Sequence, residues 1–119
     1  MVYVVAQLTV HDPARYGRYT AGFMAVLQQF GGRLLANDES PEVIEGTWDR
    51  QKVVLLQFSD RAASEAWASS DAYQAIAADR IAASEGPVLL VHGFGRRASR
   101  SLTTTAGWRR ATPTRWSRR

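Results

Sequence analysis

The chain of 119 residues contains no cysteine and only two histidines. Without thiols there is no disulfide framework, no thiolate zinc site and no cysteine nucleophile. His11 and His92 are too few for a closed, protein-only metal site, so no metal is expected. No apolar run approaches the roughly 20 residues that cross a bilayer, and no membrane partner is expected. The opening residues, Met1 to Gln7, lack a basic start and a small-residue cleavage site. A cytoplasmic protein without a signal peptide is the expectation. There is no Gly-Xaa-Ser-Xaa-Gly nucleophile elbow. Gly93-Phe94-Gly95 opens no helix and is not a nucleotide-binding loop. Nicotinamide, flavin and ATP are therefore disfavoured, and no cofactor is expected.

Acid is missing from one end of the chain. Residues 96–119 hold eight arginines and no Asp or Glu, whereas residues 1–95 hold seven bases against eleven acids, a net of −4. The pI of 10.1 belongs to that last segment. It has no helical or strand period, and its polar, one-sign, Pro-containing composition is that of a disordered extension. Trp108 and Trp116 among the arginines would let nucleic acid bind by charge and stacking. No recognition fold accompanies them, so nucleic acid is not an expected partner beyond the tail. The expected organisation is one domain over residues 1–95 followed by a basic, disordered tail over residues 96–119.

The body reads as alternating elements. Val2 to Val10 is β-branched and alternates, with one wholly apolar face and one mixed face. Asp12 is a good helix N-cap and Pro13 suits the first helical position. Tyr16, Tyr19, Phe23, Val26, Leu27 and Phe30 then follow at helical spacing until Gly31-Gly32. Arg33 to Asn37 reads as a second strand, Val43 to Gly46 as a short extended piece, and Lys52 to Phe58 as a strong strand. Ser59 or Asp60 starts a second helix that breaks and restarts at Ser69-Ser70-Asp71. Gly86-Pro87 precedes a last strand, Val88 to Phe94.

The order is β-α-β-β-α-β, the split βαβ or ferredoxin-like α+β plan: an antiparallel sheet with both helices on one face. The open face then needs a cover, and a second copy of the chain is the economical one, giving a homodimer of the α/β-barrel kind. Strand alternation assigns Val2, Val4, Ala6, Leu8, Val10, Val54, Leu56, Phe58, Leu89 and Val91 to the helix side. It assigns Tyr3, Val5, Gln7, Thr9, Val53, Leu55, Gln57, Val88, Leu90 and His92 to the open side. Gln7, Gln57 and His92 would then be neighbours, and a polar cluster of that kind marks either a ligand pocket or an interface.

Asp12-Pro13 with Tyr16 and Tyr19, Gly31-Gly32-Arg33, Glu45-Gly46, Val53 to Phe58, Ala66-Trp67, Ser70 with Tyr73, and Arg80 form an ordered set over about residues 3–94. In this set the chain resembles domain-of-unknown-function family 1330 (DUF1330), within the dimeric α/β-barrel superfamily. The resemblance implies a ferredoxin-like subunit and a face-to-face dimer. It supplies no reaction. Superfamily relatives include cofactor-free monooxygenases, polyketide cyclases, lactone isomerases and haem-dependent enzymes, with substrate between sheet and helices or inside the barrel.

Candidate chemistry rests on a few side chains. His92 is the best general base, since imidazole titrates near neutrality. Glu45, on an apolar extended segment, is either a second catalytic group or the partner of Arg80 or Arg33. Asp12 caps a helix or stands at a pocket mouth. Tyr19 orients a substrate oxygen or packs in the core. Gln7, Gln57, Trp67, Ser70, Tyr73 and Arg80 are the candidate substrate contacts. The reading they favour is a cofactor-independent isomerase, cyclase or lyase acting on a small hydrophobic, oxygenated metabolite. The alternatives are a non-catalytic binding or dimerisation protein, and a cofactor-free or haem-dependent monooxygenase.

Overall fold

The computed structural model describes residues 1–94; the basic segment and the expected boundary at residue 95 lie outside them. The element order is β1 (Val2–Val10), α1 (Pro13–Gln29), β2 (Arg33–Asp38), β3 (Lys52–Phe58), α2 (Arg61–Ser69), α3 (Asp71–Ala83), β4 (Ser84–Glu85) and β5 (Val88–His92). β3 and β5 flank β1, β2 lies outside β3, and all these pairs are antiparallel. β4 adds two residues beside the end of β1. This is the ferredoxin-like α+β arrangement.

Local chemistry sets each boundary. The Asp12 carboxylate accepts the Arg15 backbone N–H at 3.2 Å, and Pro13 occupies the first turn of α1. Tyr16, Tyr19, Phe23, Val26 and Leu27 form its buried stripe. At its end the Gly32 N–H returns to the Leu27 carbonyl at 3.0 Å, and Gly31 takes φ +74°. The Asp60 carboxylate caps α2 through the Ala63 N–H. Ser70 breaks the second helix where expected: its hydroxyl donates to the Trp67 carbonyl at 2.8 Å and accepts the Tyr73 N–H at 3.0 Å. One side chain thus closes α2 and opens α3.

The core lies between the sheet and the helices. Val2, Val4 and Leu8 of β1 and Leu56 and Phe58 of β3 are buried beneath Tyr19, Phe23, Leu27, Trp67 and Tyr73. Alternation therefore assigns β1 and β3 correctly. It misassigns β5. Val88 stands opposite Ala6, Leu90 opposite Val4 and His92 opposite Val2, so these three share the helix side. Leu89 and Val91, opposite Val5 and Tyr3, face the open side. Val88 to Val91 is one continuous apolar run with no polar residue to fix its phase. The register is set instead by backbone. Gln7 donates its N–H to the Pro87 carbonyl at 3.0 Å. Gly86, at φ +138°, lies so close to β1 that a Cβ there would collide with the Gln7 carbonyl oxygen.

Residues 43–46 form no strand. Ile44 is 85% exposed and Glu45 is exposed, and the long β2–β3 connection turns back only afterwards. There the Gln51 N–H donates to the Leu8 carbonyl, and the Gln51 side-chain oxygen accepts the Val10 N–H at 2.8 Å. Two β-branched residues followed by Glu45 and Gly46 do not make a strand without a partner to pair with. No helix among the described residues is long and apolar enough to cross a membrane.

Candidate functional site

A cavity of about 290 Å³ lies between the sheet and the helices. Its floor is Val4, Ala6 and Leu8 of β1 and Val54 and Leu56 of β3; its roof is Tyr16, Tyr19 and Phe23 of α1 with Trp67 and Tyr73. Asn37, Lys52, Thr20 and Arg80 supply polar atoms to its wall. Apolar walls with a few converging polar groups are the usual make-up of a small-molecule site.

The roof is a connected set of rings. Tyr16–Tyr19 and Tyr19–Phe23 centroids lie 5.5 and 5.4 Å apart, as one-turn neighbours on α1 must. Trp67 packs on Tyr73 at 4.1 Å, because Ser70 holds the two residues on either side of one sharp turn. Phe23 and Phe58 meet Trp67 at 6.3 and 5.3 Å. The two phenols, from α1 and α3, share a hydrogen bond of 3.1 Å between Tyr19 Oη and Tyr73 Oη. Burial pushes the Tyr19 hydroxyl far above its ordinary value, and the Tyr73 hydroxyl pushes it further; Arg80 opposes this only in part. Tyr19 is therefore a donor or acceptor that keeps its proton.

Two buried donors have no acceptor among the described residues: Trp67 Nε1–H and Arg80 Nε–H. Both side chains line the cavity. An unmade hydrogen bond at a buried N–H costs about 1–3 kcal/mol, so each of the two marks a place in the cavity wall where an acceptor belongs. Lys52 is different. It is 2% exposed, yet its ammonium lies 3.0 Å from Glu39 Oε2 and 4.8 Å from the centre of the Tyr16 ring. Its charge is matched.

Of the sequence-derived candidates, the cavity brings together Tyr19, Trp67, Tyr73 and Arg80. Ser70 stands behind them as the cap that sets Trp67 against Tyr73. The others lie elsewhere. Asp12 is the α1 cap, exposed. Glu45 is exposed on the β2–β3 connection and makes no ion pair with Arg80 or Arg33. Gln7 accepts the Trp48 indole N–H at 3.1 Å, and Gln57 accepts from Arg33 Nη1 at 3.4 Å, so each has its own partner. Gln57 pairs with Tyr3, four residues from Gln7 along β1 and roughly 13 Å away. His92 is exposed at the end of β5, on the opposite side of the sheet, so the expected Gln7–Gln57–His92 cluster does not form. His92 is not among the residues lining the cavity.

Sequence reasoning missed Lys52, Asn37, Tyr16 and Thr20 as wall residues. For Lys52 the signal was present: it shares parity with Val54, Leu56 and Phe58 and so belongs to the helix side. Among the described residues no group of three His, Cys, Asp or Glu is disposed to hold a metal ion.

Solved structures share this fold. A protein of unknown function from Rhodopseudomonas palustris superposes with a TM-score of 0.68 at 13% identity, covering 78% of this chain and 82% of its own. SnoaB, a cofactor-independent oxygenase from Streptomyces nogalater, superposes with a TM-score of 0.59 at 19% identity, covering 78% and 92%. A dimeric ferredoxin-like protein of unknown function from Jannaschia sp. gives 0.54 at 19%, covering 76% and 94%. At such identities the likeness is one of fold. No functionally curated protein matches significantly in sequence. Residues 1–94 match the family model described as domain of unknown function DUF1330, and the chain belongs to that family.

Proposed function

We propose that this protein binds a small, largely apolar, oxygenated metabolite in the sheet–helix cavity and works on it as a cofactor-independent enzyme. The observation that carries the reading is the pair of unsatisfied donors, Trp67 Nε1–H and Arg80 Nε–H, beside the Tyr19–Tyr73 hydroxyl pair in an apolar cavity. Buried donors without partners are worth most where negative charge develops on a substrate oxygen. They would hold oxygens of the ligand, and Tyr19, which keeps its proton, would donate to a ligand oxygen rather than act as a base. The fold shared with a cofactor-independent oxygenase supports this reading at the level of analogy.

A second reading is a non-catalytic ligand-binding protein. It is favoured by one feature: no Asp, Glu or His is among the described residues that line the cavity. A panel of cyclic ketones, lactones and hydroxyarenes separates the two. Compounds that raise the unfolding temperature are incubated with the protein in air and under argon, and the products are read by mass spectrometry. Conversion supports the enzyme; binding without conversion supports the binder.

The reading extends to a homodimer. Leu89 and Val91 are 46% and 44% exposed on the open sheet face, beside the half-buried Val5 and Leu55. A second copy would remove this apolar surface from water, and a fold neighbour is described as dimeric.

A further inference from the structure

We propose that the ligand is an organic monoanion, a carboxylate on an apolar body, with its charged end on Arg80. The inference rests on the reading of the cavity as the ligand site and adds the charge of what fills it.

Two cations line the cavity, Lys52 and Arg80. Lys52 is neutralised by Glu39 at 3.0 Å. Arg80 has no ion pair among the described residues, although Asp79 immediately precedes it in α3. Asp79 is engaged from the other direction, by Arg15 Nε at 2.8 Å and Arg18 Nη2 at 3.6 Å on α1. The sequence beyond the described residues, 95–119, contains no Asp or Glu, so no side-chain carboxylate from there can serve Arg80. One guanidinium charge at the cavity is thus left over, and its Nε–H is both buried and unpaired. Arg80 is half-buried, and a guanidinium partly withdrawn from water without a counter-ion is favoured when an anion completes it. A carboxylate matches it best, since it accepts two parallel N–H bonds from the planar fork. The unpaired Trp67 indole N–H and the Tyr19–Tyr73 hydroxyls then remain for a neutral oxygen elsewhere on the same ligand. The apolar floor, Val4 to Leu8 with Val54 and Leu56, takes the hydrocarbon body.

The test compares 2-naphthoate with its neutral isostere 2-naphthamide by isothermal titration of the full chain at pH 7.5. Naphthoate is expected to bind about 10–100-fold more tightly, the worth of a hydrogen bond to a charged group. Arg80→Gln should erase that preference, and Arg80→Lys, which keeps the charge, should retain part of it. Naphthoate affinity should also fall with added salt more steeply than that of naphthamide. Equal binding of the two probes to the wild type, or a preference that survives Arg80→Gln in a folded variant, overturns the anion assignment and leaves the cavity reading standing. Failure of both probes to bind overturns the cavity reading and the inference with it.

Discussion

Tyr19 Oη and Tyr73 Oη lie 3.1 Å apart across the roof of the cavity, joining α1 to α3 through a buried hydrogen bond. Removing one hydroxyl leaves the other buried without that partner. Tyr19→Phe and Tyr73→Phe should each lower stability by about 1–3 kcal/mol in urea unfolding. The double variant should cost clearly less than the two together, because no orphan remains. Additive losses would mean that the two hydroxyls are not coupled.

Lys52 and Glu39 give an asymmetric pair. Lys52→Met replaces a buried ammonium by an apolar chain of similar length, a change that is often neutral. Glu39→Ala strands the ammonium in the cavity wall. It should cost about 1–2 kcal/mol, less than for a fully buried pair because Glu39 is largely exposed. If Lys52→Met proves the more damaging of the two, the pair stabilises the wall more than this account allows.

Asp79 ties α3 to α1. The Arg15 hydrogen bond, with Arg18 beside it, holds its carboxyl below the ordinary value of 3.8. A depressed carboxylate contributes stability that is fully present above that value and is lost as pH falls below it. Wild type should therefore lose stability below about pH 4 more steeply than Asp79→Asn, as read from urea midpoints at a series of pH values. Parallel curves would show that Asp79 contributes nothing to acid sensitivity.

Gly86 sets the phase of β5. Ala there meets both a positive φ and the Gln7 carbonyl oxygen. Gly86→Ala should destabilise by about 2 kcal/mol or more and should increase hydrogen exchange first at the β1–β5 amides. An undisturbed β5 would remove the reason given for its register.

Much of the fold was legible because local rules agreed with it. Asp12-Pro13 started α1, Gly31-Gly32 ended it, and Ser70 broke the second helix by capping the next turn. The face of β5 was not legible, since Val88 to Val91 carries no alternation and its phase is a matter of backbone contact at Gly86. Val43 to Gly46 reads as extended because Val43 and Ile44 favour strands, but pairing makes a strand and none is offered. The site was half legible. Tyr19, Trp67 and Tyr73 stand out in the sequence as aromatics on buried helix faces, and Arg80 as part of the set shared with the family; all four line the cavity. Which donors lack acceptors could not, because that depends on everything packed around them. His92 and Glu45 were attractive by residue type alone. Neither lines the cavity, so His92→Ala and Glu45→Gln should leave ligand binding unchanged within about twofold, whereas Trp67→Phe should weaken it.

The most direct measurement follows the indole N–H resonances in a 1H–15N correlation spectrum while 2-acetylnaphthalene is titrated into the full chain. Trp67 Nε1–H has no acceptor among the described residues, and Trp48 Nε1–H is already held by Gln7 at 3.1 Å. A downfield, saturable shift of the Trp67 resonance, identified by its loss in Trp67→Phe, is expected, with Trp48 unmoved. An unmoved Trp67 resonance, whether or not others shift, would contradict the claim that this cavity is where the protein takes its ligand.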